Sequence, residues 1–163
     1  MVENKKAKRE REMPRAHLLH IGCALAIILL IVLDMVFNLT TRILPGFFIP
    51  WYVSVGLCIL ILIFALLFII KSHNALFSGE DDAPNHVITD GVFDQVRHPM
   101  YIGILLIHLA FITLTMSLIA FGAWIVVIII YNRMASYEEK VLEEMFGDEY
   151  REYKKRTSKW IPR

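Results

Sequence analysis

The chain has 163 residues, 56% of them hydrophobic and 20% charged, with a net charge of only +1. Such a composition cannot supply a polar surface, which excludes an ordinary soluble domain and makes the protein an integral membrane protein with no nucleic-acid partner expected. Cys23 and Cys58 stand alone inside apolar runs, so neither a disulfide nor a zinc site is expected.

Residues 1–16 form a basic segment in which Lys5, Lys6, Lys8, Arg9, Arg11 and Arg15 precede the first apolar run. That run is too long for a signal peptide and no small-residue cleavage site follows it, so it reads as a retained membrane helix. Residues 17–71 hold two such helices. The first, from Leu18 to about Leu39, has the roughly 20 residues needed to cross a ~30 Å hydrocarbon layer. Asp34 and Asn38 share one of its faces, either as a polar contact to another helix or at the headgroup level, and the expectation is the latter. Thr40 to Pro50 is a turn broken by Pro45, Gly46 and Pro50. The second helix runs from Trp51 to Ile70, with Trp51 and Tyr52 as interfacial anchors and Lys71 closing it.

Residues 72–163 read as a separate core. Its opening stretch is acid-rich, with Glu80, Asp81, Asp82, Asp90 and Asp94. Within it, Val87 to Phe93 reads as an extended piece, a turn and a re-entry toward the membrane. From Met100 to Tyr131 there is no formal charge over 32 residues, about 48 Å as a single helix and too long for one crossing. The spacing predicts two short helices, each about 22 Å, turning near Thr113 to Ser117. A hairpin also leaves only Arg42, of the 17 Lys and Arg residues, on the far side of the membrane, as the positive-inside rule favours. Both termini are then cytoplasmic.

Beyond Tyr131, apolar residues recur at three- and four-residue spacing through Met134, Tyr137, Val141 and Met145, which predicts an amphipathic helix leaving the bilayer. Gly147 is its expected stop and Asp148 the expected cap of a further short helix. Lys154, Lys155, Arg156 and Lys159, followed by Trp160, are expected on the anionic membrane surface. The predicted fold is therefore all-α: four transmembrane helices, the last two a short hairpin, plus an amphipathic cytoplasmic C-terminal helix.

The densest chemistry lies in Arg97-His98-Pro99-Met100-Tyr101-Ile102-Gly103. Pro99 suits the first turn of a helix and puts His98 at the cap, where free N–H groups and Arg97 would draw an anion. Tyr101 and His108, seven residues apart, share a helix face. The same residues also suit an interfacial anchor, an aromatic belt and a packed polar group. Glu138 and Glu139 are able to hold a cation or hydroxyl donors, as well as to be an ordinary solvated pair. The six histidines form no paired boxes, so no metal is expected.

Taken together, Arg97 to Gly103, Glu138-Glu139, Leu142, Phe146-Gly147, Tyr150 and Tyr153, with Thr89 to Phe93 and Ile161-Pro162, resemble the two-part signature of isoprenylcysteine carboxyl methyltransferases and related membrane phospholipid methyltransferases. The resemblance covers residues 87–163. It implies S-adenosylmethionine bound on the cytoplasmic side by Arg97, His98, Tyr101, Gly103, Glu138 and Glu139. It also implies catalytic roles for Glu138 and Arg133, with His108 toward the substrate. The acceptor it implies is lipophilic, an isoprenylcysteine carboxylate or another small lipid; a phospholipid, amine or thiol is the alternative within the class. Membrane sterol reductases carry a similar Arg-His-Pro-x-Tyr-x-Gly element and bind NADPH, but an acidic residue follows the glycine there and Ile104 stands at that place here. A non-catalytic membrane protein retaining the motif is the remaining alternative.

Overall fold

The computed structural model describes residues 15–40, 49–77 and 86–162. The apolar runs become helices: α1 Ala16–Phe37, α2 Trp51–Phe77, α4 Pro99–Thr115 and α5 Leu118–Phe146. The single turn α3 Val92–Gln95 precedes α4, and α6 Asp148–Arg156 follows α5. No strand occurs among the described residues, only an isolated bridge between Val96 and Ser158.

Local chemistry accounts for each boundary. Left-handed residues end two of the helices: Asn38 stops α1, and Met116 stops α4 with its N–H returned to the Ile112 carbonyl. Ser117 then caps α5 by accepting the Ala120 N–H, so the hairpin turn predicted near Thr113 to Ser117 is present. Its arms are unequal, 17 and 29 residues, because α5 runs without a break through the polar sequence after Tyr131. Gly147, at φ 56°, ends α5 and itself stands at the start of α6. Asp148 therefore lies inside the first turn of α6, against the expectation that it caps it, and pairs with Arg151. α6 carries Asp148 and Glu149 in its first turn and Lys154, Lys155 and Arg156 in its last, matching the helix dipole at both ends.

Two further expectations are corrected. α2 does not close at Lys71 but continues to Phe77. The residues involved, Lys71, Ser72, His73 and Asn74, break no helix, and Ser72 donates its hydroxyl back to the Phe68 carbonyl. The re-entry expected over Val87 to Phe93 is irregular chain leading through Gly91 into α3. The turn signals at Pro45, Gly46, Ser78 and Gly79, and the acidic residues 80–82, lie outside the described residues.

α1, α2 and α5 are long and apolar enough to cross a membrane, and α4 is a shorter apolar helix. Their outward side chains, among them Leu25, Ile28 and Val32 on α1, Ile63, Phe64 and Leu67 on α2, and Val126 and Ile129 on α5, stay exposed. An apolar exterior of this extent suits lipid and marks a membrane protein. α4 is the central element, with α2 along one side and α1 and α5 along the other. Tyr101, Leu105 and Ile112 form its stripe toward α1 and α5, where Ile27, Ile31, Val127, Tyr131 and Met134 meet it. The opposite side carries Gly103, which lets α2 approach closely. α2 thus packs onto the segment beyond residue 72.

Asp34 is a further correction. It is only 1% exposed, not at a headgroup level. It accepts hydrogen bonds from the Thr40 N–H at 2.6 Å, from the Thr40 hydroxyl and from the Ser117 hydroxyl at 2.5 Å, while Thr40 Oγ1 accepts the Leu118 N–H. A buried carboxylate needs such donors, and the result ties the end of α1 to the α4–α5 turn.

A Cβ on Gly103 would come within 2.5 Å of Ile69 Cγ1 and 3.0 Å of the Ala65 carbonyl oxygen. Gly103→Val should force α2 and α4 apart and destabilise the protein by about 1–3 kcal/mol, which thermal unfolding in detergent would register as a lower Tm; an unchanged Tm would mean that the helices do not touch there.

Candidate active site

The segment ahead of α4 has little regular structure of its own and is shaped by the C-terminal residues. The Val87 N–H donates to Glu149 at 2.8 Å, the Tyr153 hydroxyl donates to the Phe93 carbonyl at 2.6 Å, and the Arg97 N–H donates to the Ser158 carbonyl at 2.9 Å. A small apolar cluster of Val87, Tyr150 and Tyr153, with Leu142 and Phe146 against it, holds this layer together. Burial pushes both tyrosine hydroxyls well above their ordinary pKa, so they stay neutral hydrogen-bond donors.

Arg97 and His98 are thereby delivered to Glu139 on α5. Arg97 Nε lies 2.9 Å from Glu139 Oε1, and its Nη1 donates to the Lys154 carbonyl at 3.2 Å and the Thr157 carbonyl at 2.5 Å. The guanidinium thus cross-links α5, the end of α6 and the start of α4. His98 Nε2 lies 3.1 Å from the same carboxylate oxygen. Since a carboxylate only accepts, Nε2 carries the hydrogen, and Nδ1 faces Glu138 Oε2 at 3.8 Å, beyond hydrogen-bond range. Burial drives the His98 pKa below its ordinary value. Glu139 opposes this, while Lys159 and Arg97 add to it. The ring is therefore neutral, with its orientation fixed by Glu139.

Tyr101, one turn into α4, stacks on His98 with ring centres 5.7 Å apart and planes 9° from parallel, and its hydroxyl donates to Glu138. Trp160 approaches His98 from the C-terminal side, 5.8 Å between ring centres, and donates its indole N–H to Asn132 at 3.0 Å. Lys159 donates to Ser136 at 2.7 Å, and burial lowers its pKa. The tail from Thr157 to Trp160 therefore folds back along α5 and over the cluster.

The expected residues Arg97, His98, Tyr101, Glu138 and Glu139 thus converge at one end of the helix bundle. Gly103 faces Ala65 and Ile69 of α2. Arg133 is exposed on α5, with no ion pair among the described residues. His108 is buried two turns deeper along α4. Sequence reasoning missed His20, whose Nδ1 meets the Tyr131 hydroxyl at 2.7 Å and whose ring lies 5.5 Å from that of Tyr101. The available signal was an imidazole on the first turns of an otherwise apolar helix.

The phospholipid methyltransferase profile matches residues 49–149, a span that takes in α2, α4, α5 and both halves of this cluster. The chain belongs to the phospholipid methyltransferase family. The chain is 35% identical over 111 residues to methanethiol S-methyltransferase 1 of Bradyrhizobium diazoefficiens, covering 63% of the chain and 38% of that protein. It is 27% identical over 100 residues to the protein-S-isoprenylcysteine O-methyltransferase of Schizosaccharomyces pombe, covering 56% of the chain and 39% of that protein. An uncharacterized protein of Haemophilus influenzae is 41% identical over 63 residues, which is 38% of this chain and 100% of that one. The chain thus aligns with about two fifths of the length of the two named methyltransferases. No solved structure matches it.

A buried His whose pKa lies below its unfolded value near 6.5 binds fewer protons folded than unfolded. The stability contributed by neutral His98 is complete above pH 6.5 and is lost as pH falls below it. Unfolding followed between pH 8 and 5 should show a falling Tm at the acid end, and His98→Gln should flatten that decline; an equal decline in the variant would assign it to other groups.

Proposed function

We propose that the protein is an S-adenosylmethionine-dependent methyltransferase acting on a lipophilic acceptor at the cytoplasmic face of its membrane. The observation that carries this reading is the hydrogen-bonded meeting of Arg97-His98-Tyr101 with Glu138-Glu139 at one end of the bundle.

The donor set fits such a cofactor. α4 begins with Pro99 and no side chain caps it, so its first free N–H groups suit a carboxylate. Glu138 suits an ammonium or ribose hydroxyls, and the rings of His98, Tyr101 and Trp160 suit a flat base. Bound there, S-adenosylmethionine supplies a methyl group already activated by its sulfonium. What remains for the protein is alignment and the exclusion of water. Glu139 and Arg97 serve alignment by fixing His98 and the helix start, and Trp160 shields the ring face. Arg97 acts through Glu139 and the α6 carbonyls, as a positioning residue.

The start of α1 packs through His20 on Tyr101 and Tyr131, so it lies at the same end as the cluster and α6. With Arg42 the single basic residue expected at the other end, this supports a four-span arrangement in which α4 is the third, short span and both termini and the site are cytoplasmic. The relatives' names point to thiol and isoprenylcysteine acceptors, and both are compatible with lateral entry from lipid.

Calorimetric titration of the purified chain with S-adenosylhomocysteine should show binding, with none for NADPH. Glu138→Gln should weaken it about tenfold or more, the loss expected of one charged hydrogen bond. Binding of NADPH alone would overturn the methyltransferase reading, and unchanged affinity in the variant would remove Glu138 from the site.

A further inference from the structure

α1 precedes the matched span 49–149, yet His20 on its second turn enters the ring cluster beside the site. His20 Nδ1 lies 2.7 Å from the Tyr131 hydroxyl. The rings of His20, Tyr101 and Tyr131 meet pairwise, with centres 5.5 Å apart for His20 and Tyr101, 5.1 Å for His20 and Tyr131, and 5.3 Å for Tyr101 and Tyr131. Tyr131 has 0% of its surface exposed and Tyr101 8%. Three helices, α1, α4 and α5, thus join in one aromatic cluster.

Tyr101 is the member that reaches the candidate cofactor groups. Its ring stacks on His98 and its hydroxyl donates to Glu138. Its other ring neighbours, His20 and Tyr131, set where that ring can lie. The planes of those two contacts are tilted by 50° and 77°, and contacts of this kind hold rings at a distance without fixing their rotation. A hydrogen bond is directional. The bond between His20 and Tyr131 therefore fixes the wall on which Tyr101 rests. α1 does not depend on it alone for attachment, because Cys23, Ile27 and Ile31 are buried on the same helix and Asp34 ties its far end to Ser117.

We propose that His20 is a positioning residue of the active site: the Tyr131 hydroxyl donates to His20 Nδ1, and that bond holds the Tyr101 hydroxyl on Glu138 and so sets the affinity for the methyl donor. This rests on the methyltransferase reading above. His20 itself touches neither donor nor acceptor. It acts through two tyrosine rings, and the first helix becomes part of the site through a single nitrogen atom. A substitution that keeps the ring and removes the nitrogen is then more harmful than one that removes the ring and keeps a hydrogen-bonding atom at the same reach.

The test titrates the full chain in lipid nanodiscs with S-adenosylhomocysteine and records the Tm of each variant alongside. His20→Phe should weaken binding about fivefold or more, the loss expected of one neutral hydrogen bond. His20→Asn, whose side-chain oxygen has the reach of Nδ1, should stay within about twofold of the unsubstituted chain. Tyr131→Phe should match His20→Phe, and the double variant should bind no more weakly than either single one, because all three lack the same bond. Ile27→Ala, which opens a cavity under α1 away from these rings, should lower the Tm and leave the affinity within about twofold. A role in packing alone predicts the reverse, a harmless His20→Phe and a damaging His20→Asn; that result, or additive losses in the double variant, would overturn the assignment. Should the His20 variants fail to fold, Tyr131→Phe decides, since it removes one oxygen from an unchanged ring, and unaltered affinity there would equally overturn it. Failure of the unsubstituted chain to bind S-adenosylhomocysteine would instead overturn the underlying methyltransferase reading, and the role of His20 with it.

Discussion

Glu139 is a carboxylate with 7% of its surface exposed, set on a helix whose other end is apolar. Its charge has to be balanced where it stands, and Arg97 does so while the neutral His98 ring donates its Nε2 hydrogen, both from a segment more than 40 residues earlier. Removing one member of a buried pair typically costs about 3–5 kcal/mol, because the partner is left charged and unpaired. That asymmetry makes the contact specific. With the loop ahead of α4 placed to satisfy Glu139, Arg97 also reaches the carbonyls at the end of α6. One guanidinium thereby fixes the start of α4, the polar half of α5 and the C-terminal tail.

The bundle has a second polar node at its opposite end, where Asp34 gathers Thr40 and Ser117. Between the nodes the contacts are apolar except for the Trp124 indole N–H donated to the Leu105 carbonyl at 3.0 Å, and in a lipid environment apolar packing alone discriminates weakly between helix registers. Asp34 and Ser117 at one end, and His20 and Tyr131 at the other, set α1 antiparallel to α5 in a single register. Gly103 does the corresponding work between α4 and α2 by removing a side chain where the helices come closest.

This arrangement separates two kinds of polar group. Arg97 and Glu139 are mutually saturated and act as framework. Glu138 Oε2 and His98 Nδ1 face each other at 3.8 Å beside the α4 N-terminus. Deeper along α4, His108 is buried, and His20 meets the Tyr131 hydroxyl where α1 packs on α5.

The sequence by itself determined the helices, the hairpin turn and the pairing of the Arg97–Gly103 stretch with Glu138-Glu139. Apolar run length and breaker residues are local properties, and the two-part motif carries its own spacing. The sequence did not determine that Asp34 is buried, since a carboxylate near a helix end is equally at home among headgroups until a partner is brought to it from residue 117. It did not separate the roles of Arg97 and His98, which are neighbours in the chain; only the fold shows one turned toward the α6 carbonyls and the other stacked on Tyr101. His20 and Trp160, near opposite ends of the chain, came into the site through tertiary packing alone, because contacts over such separations leave no local periodicity to read.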